Sequence, residues 1–222
     1  MLMIAIVDYG MGNLRSVSKG FESQGFSTTV TRNPDDIRKS SGLVLPGVGS
    51  FGDCVRNLKE FGLIEPIIEF INKDKPFLGI CLGLQILFEE SQESSGIKGL
   101  SLFKGKVVRF PRENGSNLKI PHMGWNQVEL TRELNVLREI PRGSWFYFVH
   151  SYYPEPEEKD IITGKASYGV DFTCAVSKGN IFACQFHPEK SSSMGLKILE
   201  NFALLCGEKK ERRAEVRSQN SE

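Results

Sequence analysis

The sequence predicts an α/β protein: a mostly parallel central sheet flanked by helices, with antiparallel strands added in the C-terminal half. Two features of the chain underlie this. Up to about residue 100, short apolar runs alternate with amphipathic stretches, as in successive βαβ units. Beyond it, strand-like runs follow one another with turn residues between them at hairpin spacing.

Met3 to Tyr9 is the first strand, and the glycine-rich turn Gly10-Met11-Gly12-Asn13 leads into a helix from Leu14 to about Gln24. Gly25 stops that helix, and Ser27 to Thr31 resumes as a β-branched strand. Leu43-Val44-Leu45 is a short buried strand ended by Pro46-Gly47-Val48-Gly49. Amphipathic helices follow at Asp53 to Glu60 and Leu63 to Asn72, then a strand that runs into Cys81 and a helix from Leu82 to Glu90. In the second half, strands are expected at Lys106 to Phe110, Trp125 to Leu130, Ser144 to Val149, Ile161 to Tyr168, Cys174 to Ser177 and Ile181 to Phe186. A helix from Ser192 to Leu205 closes the fold. One domain, 1–206, is expected, with 207–222 a polar, disordered tail of mixed charge.

A net charge of +1 gives no electrostatic reason to expect nucleic acid or a membrane surface as partner. No apolar run approaches a membrane span, and Met1 to Val7 reads as a strand rather than a signal peptide, so the expected location is the cytoplasm. Five cysteines without regular spacing argue against a disulfide framework, and three histidines with no CxxC pair argue against structural zinc. No metal or cofactor is expected. Four of the thiols read as small buried hydrophobes.

Cys81 differs by its context. Gly79 and Gly83 flank it at minus two and plus two, the spacing of a nucleophile elbow with sulfur in place of the hydroxyl. Such a turn needs small neighbours because backbone approaches backbone there. It would put the sulfur at the start of a helix, where free N–H groups and the dipole favour a thiolate and the Leu82 N–H faces a developing oxyanion. A lone cysteine after an apolar strand is otherwise a core residue. Gln185-Phe186-His187-Pro188-Glu189-Lys190 supplies what such a nucleophile needs. Residues two apart on extended backbone point the same way, so His187 and Glu189 approach one site, acid on one ring nitrogen and sulfur on the other. His122 and His150 read as structural, because nothing in the sequence places either near the sulfur.

Gly79-Ile80-Cys81-Leu82-Gly83-Leu84-Gln85, Phe186-His187-Pro188-Glu189 and Pro46-Gly47-Val48-Gly49 together resemble the class I, triad-type glutamine amidotransferases, from Met3 to about Leu205. Asp8-Tyr9-Gly10-Met11-Gly12-Asn13-Leu14, Pro121-His122-Met123-Gly124-Trp125-Asn126 and Phe148-Val149-His150-Ser151-Tyr152 narrow the resemblance to the glutaminase subunits of imidazole glycerol phosphate synthases. The resemblance implies the amidotransferase fold, with glutamine as substrate and Cys81, His187 and Glu189 catalytic. It implies oxyanion donors from Leu82 and the Gly47-Val48-Gly49 segment. It also implies contacts to glutamine from Gln85 and from the backbone of Ser151 and Tyr152. Ammonia would pass to a (β/α)₈-barrel cyclase in a heterodimer serving histidine biosynthesis. Asn13, Met123, Trp125 and Lys190 match positions at or near that interface, although Met123 and Trp125 would ordinarily be core residues. Gln85, on the residues alone, is an ordinary partly exposed helix position. Other amidotransferase subunits (for anthranilate or a sugar acceptor), a stand-alone cysteine hydrolase and a non-catalytic binding subunit stay open as alternatives.

Overall fold

The computed structural model describes residues 3–111 and 119–209. Its N-terminal half contributes β1 (Ile4–Val7), β2 (Thr28–Thr31), β3 (Gly42–Gly47) and β4 (Phe77–Cys81), parallel and in the order β2-β1-β3-β4. Helices α1 (Leu14–Ser23), α2 (Pro34–Lys39), α3 (Phe51–Glu60) and α4 (Ile64–Asn72) connect them. A single turn, α5 (Leu82–Gln85), follows β4.

The strands of the second half are β5 (Phe88–Ser91), β6 (Phe103–Arg109), β7 (His122–Leu130), β8 (Ser144–His150), β9 (Tyr152–Pro156), β10 (Ile162–Tyr168), β11 (Val170–Lys178) and β12 (Ile181–Cys184). β12 lies parallel to β4, and β11, β10, β7 and β8 continue outward antiparallel, making nine strands with β8 at the edge. β5, β6 and β9 form a separate small sheet. The last helix, α6, spans Ser192–Leu205, as the sequence predicts.

Alternation along the strands builds a core on each face. Ile4 and Ile6 pack with Val17 and Phe21 of α1 and Ile198 and Phe202 of α6, while Ala5 and Val7 pack with Phe51 and Leu58 of α3 and Phe70 of α4. Each fully buried phenylalanine contributes about 1.5–3 kcal/mol. Asn13 caps α1, its side-chain oxygen accepting from the Ser16 N–H at 3.2 Å, and Gly25 adopts φ +83° where that helix ends.

Three features depart from the sequence expectation. α2 buries only Ile37, so it has no apolar period to announce it, although Asn33, Pro34 and two early acids form a capped N-terminus. β9 was not expected as a strand; it pairs with β6 from Gly105↔Pro156 to Arg109↔Tyr152. The helix expected from Leu82 to Glu90 is one turn long. Residues 77–88 are buried throughout, so periodicity cannot separate strand from helix there, and pairing of β5 with β6 takes the chain. Of the polar tail expected at 207–222, residues 210–222 lie outside the described residues. Among the described residues, no helix is long and apolar enough to cross a membrane.

Candidate active site

β4 and α5 meet at Cys81, which adopts φ +55° and ψ −107°. A non-glycine residue in that conformation costs about 1–3 kcal/mol, held only where the surroundings leave no alternative. The glycines are what permit it. A Cβ on Gly83 would stand 1.9 Å from the Leu45 carbonyl oxygen, and one on Gly79 would stand 2.7 Å from the Gly83 oxygen. Gly47, opposite, has no room either, with Tyr9 Oη at 2.5 Å and Leu82 Cβ at 2.7 Å from its would-be Cβ. Tyr9 Oη donates to the Pro46 carbonyl at 2.9 Å, bracing the start of the Gly47-Val48-Gly49 segment. With α5 only four residues long, the dipole of a full helix is not available to the sulfur. Gln185 Nε2 donates to Cys81 Sγ at 3.6 Å.

His187 follows β12, and a 3-10 turn at Pro188–Lys190 brings Glu189 back to it. Glu189 Oε1 lies 2.8 Å from His187 Nδ1, with both side chains buried. Burial disfavours charge on the imidazole, but Cys81 and Glu189 outweigh it and raise the His187 pKa to about 10. His187 Nε2 is buried and has no hydrogen-bond partner among the described residues, so it faces the sulfur without hydrogen-bonding alignment. The turn is anchored to β8. The His187 N–H donates to the Tyr147 carbonyl at 2.9 Å, the Tyr147 N–H to Ser191 Oγ at 2.9 Å, and Ser191 Oγ to the His187 carbonyl at 2.6 Å.

These groups open into a cavity of about 310 Å³ that Cys81, Leu82, Gln85, Val48, Gly49, Ser151, Tyr152 and His187 help to line. A larger cavity of about 670 Å³ beside β6 and β9 contains neither the cysteine nor the histidine, so chemistry and not size marks the site. Gln85 is 4% exposed rather than a partly exposed helix residue. Its Nε2 donates to the Tyr152 carbonyl and to Gln185 Oε1, both at 3.0 Å, which leaves its own Oε1 as the free polar atom.

Two side chains of the site carry no signal in the sequence, Gln185 buried behind Cys81 and Glu93 on the cavity wall. Gln185 stands two residues before His187, but its role is set by Gln85, 100 residues away. Glu93 follows β5 and places a carboxyl in the cavity, one oxygen accepting from the Phe51 N–H at 2.7 Å. His122 and His150, read from the sequence as structural, are both buried. His150 lines the cavity and contacts His122 at 3.0 Å. Cys54, Cys174, Cys184 and Cys206 are free, buried thiols whose pKa values burial pushes up. Among the described residues, no group of three or more His, Cys, Asp or Glu side chains could hold a metal ion.

Met123 and Trp125 are exposed on β7, at 63% and 49%, and are not core residues. Trp125 meets Tyr147 edge to face at 6.4 Å, and Lys190 Nζ lies 5.9 Å from the same ring, so Trp125 and Lys190 share one surface. Asn13 is exposed at the α1 cap, next to Gly12, whose would-be Cβ lies 3.9 Å from Gly47 Cα.

A sequence-family model described as glutamine amidotransferase class-I matches residues 5–206. Imidazole glycerol phosphate synthase subunit HisH of Geobacter metallireducens is 52% identical over 207 residues, covering 92% of this chain and 99% of its own length. Subunit HisH 1 of Campylobacter jejuni is 47% identical over 204 residues, covering 91% of this chain and 100% of its own. Among solved structures, a glutamine amidotransferase superposes with a TM-score of 0.70 at 16% identity, over 92% of this chain and 99% of that one. PurLQS from Thermotoga maritima gives 0.69 at 19%, over 91% and 98%. The fold, the elbow and these relatives agree, and the chain belongs to the class-I glutamine amidotransferases, among the relatives of imidazole glycerol phosphate synthase subunit HisH.

Proposed function

We propose that this chain is the glutaminase subunit of an imidazole glycerol phosphate synthase, hydrolysing glutamine and passing the ammonia to a (β/α)₈-barrel cyclase in the cytoplasm. The observation that carries the chemistry is the strained Cys81 turn beside the buried His187–Glu189 pair. Residues 1–206 form the amidotransferase domain and 207–222 its tail.

Cys81 and Glu189 keep His187 protonated at neutral pH, so the proton of Cys81 already rests on Nε2 when the sulfur attacks the glutamine side-chain carbonyl. The oxyanion meets the Leu82 N–H and an N–H of the Gly47-Val48-Gly49 segment. His187 then protonates the departing nitrogen, and ammonia leaves a thioester. A water deprotonated by His187 attacks that thioester, and glutamate departs as Cys81 returns to the thiolate. Glu189 steadies the imidazolium throughout. Gln85 Oε1 accepts from the ligand, because both of its amide hydrogens are already spent. Glu93 meets the α-ammonium group. The Ser151 and Tyr152 carbonyls are taken by the Phe110 N–H and by Gln85, so their N–H groups are what this segment offers a ligand carboxylate.

The deciding experiment measures glutamate release by the chain alone and with a barrel cyclase plus its nucleotide ligand. Weak activity alone, strongly raised by the liganded partner and reduced at least ~10³-fold in Cys81→Ala, is expected. Cys81-dependent activity indifferent to that partner would point to another acceptor enzyme or a free-standing hydrolase.

The partner face is proposed at Asn13, Met123, Trp125 and Lys190. An exposed tryptophan on a strand face is the kind of anchor that dominates an interface, worth about 2 kcal/mol or more. Trp125→Ala should therefore weaken binding of the cyclase at least ~30-fold by titration calorimetry. Unchanged affinity would remove this face from the interface.

A further inference from the structure

His122 on β7 and His150 on β8 stand directly opposite each other in the antiparallel register, both buried. Their side chains therefore share one face of the sheet. His122 Nδ1 lies 3.0 Å from His150 Nε2, and His150 Nδ1 lies 2.9 Å from the Tyr152 carbonyl oxygen. The carbonyl can only accept, so His150 Nδ1 carries the hydrogen. Burial holds the His150 pKa down to about 3 and the His122 pKa to about 4, so both rings are uncharged at neutral pH. His150 Nε2 is then a lone pair, and the hydrogen between the rings belongs to His122 Nδ1. His122 Nε2 is a lone pair in turn, with Asn126 Nδ2 at 3.3 Å. Every donor in the series points the same way. It ends on the carbonyl that also receives Gln85, which reaches Cys81 through Gln185.

We propose that His122 and His150 are positioning residues of the glutamine site, a one-directional imidazole pair whose bond to the Tyr152 carbonyl orients the Gln85 amide toward ligand. The proposal rests on the glutaminase reading above. The pair has one stable polarity, because reversing either ring would set a lone pair against the carbonyl or two lone pairs against each other. With the carbonyl held, Gln85 has one amide orientation, and Oε1 is presented to the cavity. The far end of the series, Asn126, lies one residue beyond exposed Trp125 on the same strand.

The test separates hydrogen bonding from packing. His122 stacks on Tyr168 at 4.1 Å and on Phe148 at 4.9 Å. His122→Phe keeps an aromatic ring and loses the donor, whereas His122→Asn keeps a donor near the Nδ1 position and loses the ring. In the liganded complex, His122→Phe is expected to raise the glutamine KM ~5- to 10-fold with kcat within about 2-fold, the range of one lost hydrogen bond. His122→Asn should recover most of that loss. Alkylation of Cys81 by iodoacetamide without glutamine should proceed at the wild-type rate in both, since neither variant touches the sulfur. If Phe performs better than Asn, or KM does not move in either, the proposal falls while the glutaminase reading stands. Absence of Cys81-dependent glutaminase activity in the wild-type complex would remove both.

Discussion

Gly83→Ala is expected to reduce kcat/KM for glutamine at least ~10²-fold, the scale of loss from displacing a reacting group by about an ångström. The added Cβ would lie 1.9 Å from the Leu45 carbonyl oxygen and 3.0 Å from its carbon. Both are main-chain atoms of β3, so no rotamer change relieves the contact. The start of α5 must move away from β3, taking the Leu82 N–H and the Cys81 sulfur with it. Overpacking of this kind costs about 1–3 kcal/mol, or roughly 2–4 °C of Tm per kcal/mol in a chain this long. Gly62→Ala is the comparison. It has φ +65° and nothing within 4 Å, so it should lose about 1 kcal/mol of stability and keep its activity. Full activity in Gly83→Ala would show that the elbow tolerates displacement and that the close approach is only a packing constraint.

The second large effect is expected for Glu189→Gln, a kcat lower by ~10²–10⁴-fold with the fold retained. An amide of the same shape can turn its NH₂ toward His187 Nδ1, which then becomes the acceptor, and Nε2 carries the hydrogen where the sulfur needs a base. Stability should report the same change. The folded His187 pKa is raised from 6.5 to about 10, so this group stabilises the protein fully below about 6.5 and loses that contribution as pH rises toward 10. Removing Glu189 removes one of the two interactions that raise the pKa. Wild type should therefore lose stability across that window with a steeper slope than the variant, read by denaturant unfolding at successive pH values. Parallel profiles would mean that the carboxylate does not support the imidazolium.

How much of this was legible in the sequence followed the range of the interactions. α1 and α6 have clear apolar periods, and their observed bounds lie within a residue of the expected ones. The glycine spacing around Cys81 anticipated a backbone constraint that the structure displays as contacts of Gly83 with β3. His187 and Glu189 were legible because two-residue spacing on extended chain is a local rule. β5 was not, because its state depends on pairing with β6, which no local pattern encodes. Nor was the orientation of Gln85. It depends on Tyr152, 67 residues on, and on Gln185, 100 residues on. His122 and His150 lacked any sequence signal beyond alternation, since only the register of β7 against β8 makes them neighbours. Residue type alone would make Met123 and Trp125 core, whereas the resemblance puts them at a partner interface; they sit on the open face of β7.

The anchoring of the His187 turn on Tyr147 has a consequence outside catalysis. β8 is the terminal strand of a nine-stranded sheet, and a terminal strand offers unpaired main-chain groups to any other chain that can lie beside it. Here the segment carrying His187 occupies the middle of that edge, through the Tyr147 carbonyl and, by way of Ser191, the Tyr147 N–H. The same few residues thus keep the imidazole in place and deny the edge to a second molecule. Ser191→Ala is therefore expected to make the isolated chain more prone to self-association, read by light scattering, at the same time as it loosens the His187 turn.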